Sequence, residues 1–324
     1  MNFSALATDN WGLYVDDSPD FIEARQFQGK KMWAQAVLPL KQALKKEPDF
    51  SLAALDLSKA LLYSGHRDEA ISTLAHQITR EKGARKAYLV QRLRVLSRSF
   101  LDHRIFQLYQ DGLDFLEERK YRAAREKFLK GIEQDPNHVE ILLRLGQVYL
   151  LDEDHDHAVE KLKSAARLNP YEPEIRLWLG RALFRKGDLN DGLEEIKSAA
   201  NELPQSEIAP IWLAESQALI GQKRLGIKTL EEDLIRQPFH LQGLISLAKM
   251  RIIGGHPDSR SLWSARKELQ LALSRMEKYF SAEGPRFESE LGVEFARSPE
   301  DTREEIEKLL KQVESKLKSL NTNG

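Results

Sequence analysis

The chain has 324 residues, with 49 Lys and Arg set against 50 Asp and Glu, for a formal net charge of −1. That balance argues against a dedicated polyanion binder, and the lack of cysteine excludes disulfides and thiolate metal sites. No run of apolar residues is long enough for a membrane-spanning helix, and the start has neither the basic region nor the apolar stretch of a secretory signal, so the expected location is the cytoplasm.

Residues 1–16 are apolar and acidic at once. Trp11, Leu13, Tyr14 and Val15 stand beside Asp9, Asp16 and the following Asp17, with no Lys or Arg. Beyond them the hydrophobic periodicity is helical almost throughout. Four prolines, Pro136, Pro170, Pro204 and Pro238, fall 34 residues apart and set a frame. Residues 17–84 hold two units in that frame. The first keeps Ala24, Phe27, Ala36, Leu40, Ala43 and Pro48 with an irregular turn; the second keeps Gly65, Ala70 and Leu74 but has Lys82 in the proline position.

About 20 residues then interrupt the phase. Leu89, Leu93, Leu96 and Phe100 recur at helical spacing, which predicts an extra helix over 85–104. Arg80 to Arg104 carries eight basic and two acidic residues. This basic segment could meet phosphates or an acidic protein, but only Tyr88 and Phe100 are at hand for base stacking, so nucleic acid is the lesser expectation. Residues 105–280 read as five further units. The one from Val139 has Leu142, Leu145, Gly146, Tyr149, Ala158, Leu162, Ala165 and Pro170, and its neighbours repeat the pattern. Small residues at fixed offsets let paired helices approach, bulky ones fill the layer between, and Gly and Pro punctuate the helix ends. One unit cannot bury its apolar face alone, so the units stack.

Residues 281–298 read as a loop with apolar anchors Phe287, Leu291, Val293 and Phe295. A helix is predicted over 299–320, with Ser298 as cap, Pro299 in the first turn, and Glu300 and Asp301 complementing the dipole. Its stripe of Ile306, Leu309, Leu310, Val313, Leu317 and Leu320 suits a helix that covers the end of a stack.

The 34-residue pattern resembles the tetratricopeptide repeat family over about 260 residues. The resemblance implies an all-α, right-handed helical-repeat solenoid of about seven helix-turn-helix units, with the extra inter-repeat helix and the C-terminal capping helix added. It also implies a non-catalytic scaffold that holds a helical or extended peptide against the first helix of each repeat. By the family's inward-facing offsets the candidate groove residues are Arg144, Gln147, Leu151, Leu177, Trp178, Arg181, Phe184, Arg185, Ile211, Trp212 and Glu215. Trp178 and Trp212 share one offset, and two orientations are open for them: facing the groove, or packing between adjacent helices. The Lys and Asn pair by which one subclass grips C-terminal carboxylates is absent.

Phosphate loops, dinucleotide fingerprints and a His-Glu-x-x-His pair are missing. Asp152, Glu153, Asp154, His155, Asp156 and His157 offer metal-ligand types, but they fall in the turn between paired helices and read as a solvated turn. His138 likewise reads as turn surface. No cofactor, metal or catalytic residue is expected, and neither is a membrane partner. The expected partner is a protein or peptide, with self-association through either terminal segment as one form of it.

Overall fold

The computed structural model describes residues 18–253, 257–281 and 298–322, and among them every regular element is helical. Fourteen of the sixteen described helices form seven pairs: α1 (Pro19–Gly29) with α2 (Trp33–Lys46), α3 (Ser51–Tyr63) with α4 (Arg67–Arg80), α6 (His103–Glu117) with α7 (Tyr121–Gln134), α8 (Val139–Leu151) with α9 (His155–Leu168), α10 (Pro173–Lys186) with α11 (Leu189–Glu202), α12 (Ala209–Leu219) with α13 (Lys223–Arg236), and α14 (Leu241–Ile252) with α15 (Ser259–Ser281). The other two are α5 (Gly83–Arg98) and α16 (Pro299–Thr322). The extra helix thus starts two residues before its expected span and stops at Arg98, where Ser99 turns to extended backbone. None of the described helices is long and apolar enough to cross a membrane.

The frame is written in the backbone as well as in the prolines. Lys31, Gly65, Arg119, Glu153, Gly187 and Gly221 all have left-handed φ, between 58° and 105°. They sit 34 residues apart except between Gly65 and Arg119, where the step is 54, one repeat plus the 20-residue insertion. After five of them the next N–H reaches back to a carbonyl in the last turn of the first helix. Met32 bonds Phe27, His66 bonds Leu61, Asp154 bonds Tyr149, Asp188 bonds Leu183 and Gln222 bonds Gln217, at 2.8–2.9 Å. This closure satisfies carbonyls that a helix end leaves orphaned. Glycine is the natural residue there, yet Lys31, Arg119 and Glu153 adopt the same conformation. Its cost for a side-chain-bearing residue, about 1–2 kcal/mol, is overridden by the pair that must close.

The chain packs as two compact units. Of the described residues, 18–115, 122–145 and 163–172 make the first; 116–121, 146–162, 173–253, 257–281 and 298–322 make the second. In the first, Phe21, Leu40, Leu57, Leu61, Leu74 and Ile78 are buried between α1 and α4, and Leu89 and Leu93 fasten α5 beside them. In the second, helix pairs meet at small residues. A Cβ built on Gly180 of α10 would lie 2.7 Å from the Gly192 carbonyl oxygen of α11, and one on Gly192 would lie 2.8 Å from the Gly180 oxygen. Two backbones touch there.

The second unit is closed by α16. The Ser298 hydroxyl accepts the Asp301 N–H at 3.0 Å, capping the helix. Ile306, Val313 and Leu317 are buried in one cluster with Leu244, Ile245 and Ala248 of α14 and Leu262, Leu269 and Met276 of α15. Lys249–Glu305 and Arg266–Glu314 contacts flank it. Leu320, at the far end of the stripe, is exposed.

Candidate interaction surface

In the first unit the insertion has built a polar lattice. Arg94 and Arg98 project from α5 beside the buried leucines. Arg98 pairs with Glu140 at the start of α8, and Arg94 donates to the Tyr171 carbonyl at 2.9 Å and lies 3.6 Å from Glu172. Glu140 is buried, and it also accepts from Tyr109 Oη at 2.9 Å and Arg144 Nε at 3.0 Å. Burial pushes its pKa up, but Arg144 and Arg98 with these hydrogen bonds outweigh it and hold the carboxyl at about 2. The same burial pushes the Tyr109 phenol up to about 12.

Arg67, at the start of α4, is the second keystone. Its guanidinium donates to the carbonyls of Leu96, Ser97 and Ser99 at 2.7–3.3 Å, satisfying the C-terminus of α5, and to Asp135 at 2.9 Å. Cations suit helix C-termini on dipole grounds as well. Two of the arginines that make segment 80–104 basic, Arg94 and Arg98, are therefore engaged with this chain's own carboxylates. Lys82, Arg85 and Lys86, at the other end of α5, stay exposed.

The reading of His138 as turn surface is overturned. His138 has no exposed surface, because residues 99–102 fold over the turn and Phe100 stacks on the imidazole, centroids 4.1 Å apart. Burial and the nearby Arg67 charge lower its pKa to about 4, against the pull of Asp135 and Glu140.

In the second unit α10 and α12 carry a tryptophan pair. Trp178 of α10 and Trp212 of α12 meet edge to face, centroids 4.7 Å apart, and are 1% and 0% exposed. Of the two orientations open from sequence, packing between helices is the one adopted. Arg181 lies 5.1 Å over the Trp212 ring and donates to Glu215 at 3.1 Å. Gln147, Leu177, Phe184 and Ile211 are buried as well, Leu151 and Glu215 are half-buried, and Arg185 is exposed. Arg144, half-buried, belongs to the Glu140 lattice of the first unit. Trp11, Leu13, Tyr14, Val15, Phe287, Leu291, Val293 and Phe295 lie outside the described residues.

The acidic turn between α8 and α9 is spent locally. Asp154 bonds the His157 ring at 2.8 Å, His157 stacks on Tyr149, and Asp156 pairs with Lys186 at 2.8 Å. Among the described residues no group of three potential ligands is placed to hold a metal ion.

Family models described as tetratricopeptide repeat match residues 109–173 and 149–211, across the segment where the 34-residue frame is best kept. Residues 109–211 of the chain carry tetratricopeptide repeats. Proteins of that family are interaction scaffolds, generally without catalysis. Among solved structures, the chain is similar to a tetratricopeptide repeat protein from Parabacteroides merdae, at 15% identity over 91% of this chain and 97% of that one, with a TM-score of 0.46. It is similar to MamA at 22% identity over 52% of this chain and 95% of that one, TM-score 0.42. Yeast Tom70 matches at 14% identity over 87% of this chain and 59% of that one, TM-score 0.46. No curated protein matches the sequence.

Proposed function

We propose that this tetratricopeptide repeat chain is a non-catalytic scaffold that holds a helical or extended peptide along the inner helices of its second unit. The observation that carries the reading is the surface there. The buried Trp178–Trp212 pair fixes α10 against α12, and these two helices carry the Arg181–Glu215 pair and exposed Arg185, with half-buried Leu151 at the end of α8. Exposed arginine on a rigidly packed helix pair suits an interface anchor point. Arg185 favours a ligand that is acidic as well as apolar, and residues 1–16 of this chain have that composition. A second copy's terminal segment is therefore one proposed ligand, with the anchors of 281–298 as the other candidate.

The test is direct. A synthetic peptide of residues 5–17 is titrated into a chain lacking residues 1–16, and the full chain's mass is followed by light scattering from low to high concentration. Binding weakened several-fold by Arg185→Glu, with a mass that rises above 37.2 kDa, supports the reading. Serine at Phe287, Leu291, Val293 and Phe295 examines the other segment without removing α16. No peptide binding and a constant monomer mass in every variant would discard self-docking.

A further inference from the structure

We propose that the turn edge of the first helix pair is a docking platform for residues 9–17 of the same chain. Trp33, the first residue of α2, stacks on Tyr63 at the end of α3, with centroids 4.7 Å apart and planes 22° from parallel. Lys59, one turn back on α3, sets its ammonium 5.3 Å from the centre of the Trp33 ring. This stack lies at the surface: Tyr63 and Met32 are exposed and Trp33 is half-buried.

The lysines around it lack counter-charges. Lys30 and Lys31, in the turn after α1, are exposed, as is Lys59. Among the described residues none of the three has a carboxylate at ion-pair distance. Lys41, Lys46, Arg67 and Arg80 of the same unit all do. Asp56 feels the Lys59 charge, but it is already paired with Arg25 at 3.2 Å. An exposed aromatic stack ringed by such lysines calls for an occupant that is aromatic and acidic.

Residues 9–17 have that chemistry, with Trp11 and Tyr14 among Asp9, Asp16 and Asp17 and no Lys or Arg. They also lead straight into α1 and are within reach. The 11 residues of α1 put its start about 16 Å from its far end, where the Met32 N–H bonds the Phe27 carbonyl and fixes the turn. Trp11 stands seven residues before Ser18, and an extended chain of that length covers about 23 Å. One of its rings can pack on Tyr63 and Met32 while Asp side chains meet the lysines. A short tether holds a ligand at an effective concentration of about 1 mM or more, so a patch this small fills in cis ahead of a foreign peptide of equal affinity. The platform competes for the segment with the second-unit surface proposed above, and it stands whether or not that surface binds.

The experiment uses the full chain. It has no cysteine, so Asn10→Cys carries a single nitroxide, and the five tryptophan indole N–H signals report what lies near it. Trp33→Phe assigns the Trp33 signal, and Trp11, beside the label, is the positive control. The expected result is strong paramagnetic broadening of Trp33. Charge reversal at two exposed positions, Lys30→Glu with Lys59→Glu, should reduce it several-fold to the level a free tether leaves, and high salt should do the same. Arg185→Glu, which tests the second-unit surface, should leave it unchanged. No broadening of Trp33, equal broadening in the reversed chain, or broadening of Trp178 or Trp212 in place of Trp33 would each overturn the proposal. So would broadening of Trp33 in an isotope-labelled chain without nitroxide when a spin-labelled chain is mixed in, since that is docking between copies.

Discussion

Replacing Gly180 by alanine adds one methyl group where two backbones touch. The new Cβ would lie 2.7 Å from the Gly192 oxygen, 2.7 Å from Ile196 Cγ1 and 2.8 Å from the Ile196 nitrogen. Ordinary contact begins at 3.4 Å, so α10 and α11 must part by about 0.7 Å, and two of the three obstructing atoms are backbone that cannot rotate aside. Overpacking of this kind costs about 1–3 kcal/mol. Alanine returns about 1 kcal/mol through its better helix propensity, and with two backbone atoms in the way the cost sits in the upper half of that range, about 2–3 kcal/mol, which leaves a net destabilisation of about 1–2 kcal/mol. Gly131→Ala in α7 is the matched control. Its Cβ would approach only the tip of Ile141, at 2.9 Å, and that methyl can swing. The propensity gain should then hold its stability within about 0.5 kcal/mol of wild type or raise it. Urea melts give the global change, and amide exchange in α10 and α11 localises it, as repeat arrays open unit by unit. Wild-type stability in Gly180→Ala, or a loss in Gly131→Ala as large as in Gly180→Ala, would refute backbone contact as what holds this pair.

Glu153→Gly should stabilise by about 0.5–1 kcal/mol, since relief of the left-handed strain exceeds glycine's entropy cost, while Gly187→Ala at the same position one repeat later should lose about 1 kcal/mol; paired thermal melts read both. Trp178→Ala should cost about 3–5 kcal/mol, as a buried aromatic does, whereas a tryptophan that served only recognition would leave the melting temperature unchanged. Glu140 has a depressed pKa, so its contribution is full above about pH 4.5 and is lost as pH falls toward 2. The drop from 4.5 to about 2 corresponds to about 3 kcal/mol. Urea midpoints measured from pH 6 to pH 2.5 should fall more steeply in wild type than in Glu140→Gln, which should also be the less stable of the two at pH 7.

The repeat was legible because its physics is local. Prolines 34 apart, small residues where helices cross and apolar stripes at helical spacing all report on one pair at a time. The cap was legible for the same reason: Ser298, Pro299 and the Ile306–Val313–Leu317 stripe describe α16 before its partner is known. Left-handed backbone at Lys31, Arg119 and Glu153 was not legible from residue type, because the neighbouring helix pair imposes it. The frame does locate it, since these residues are one or more repeat lengths from Gly65, Gly187 or Gly221.

The tryptophans and His138 went unread for a different reason. A helix face announces that it is apolar, or carries an aromatic, but not what will lie against it. Trp178 and Trp212 share an offset, so stacking consecutive repeats sets one indole on the edge of the other, and the family's inward-facing position becomes interior. The signal was available in their 34-residue separation. His138 had none, since its burial depends on Phe100, which belongs to the insertion and obeys no repeat. Insertions are therefore where reasoning by period stops. Here they put Phe100 against His138, a contact that no repeat offset encodes.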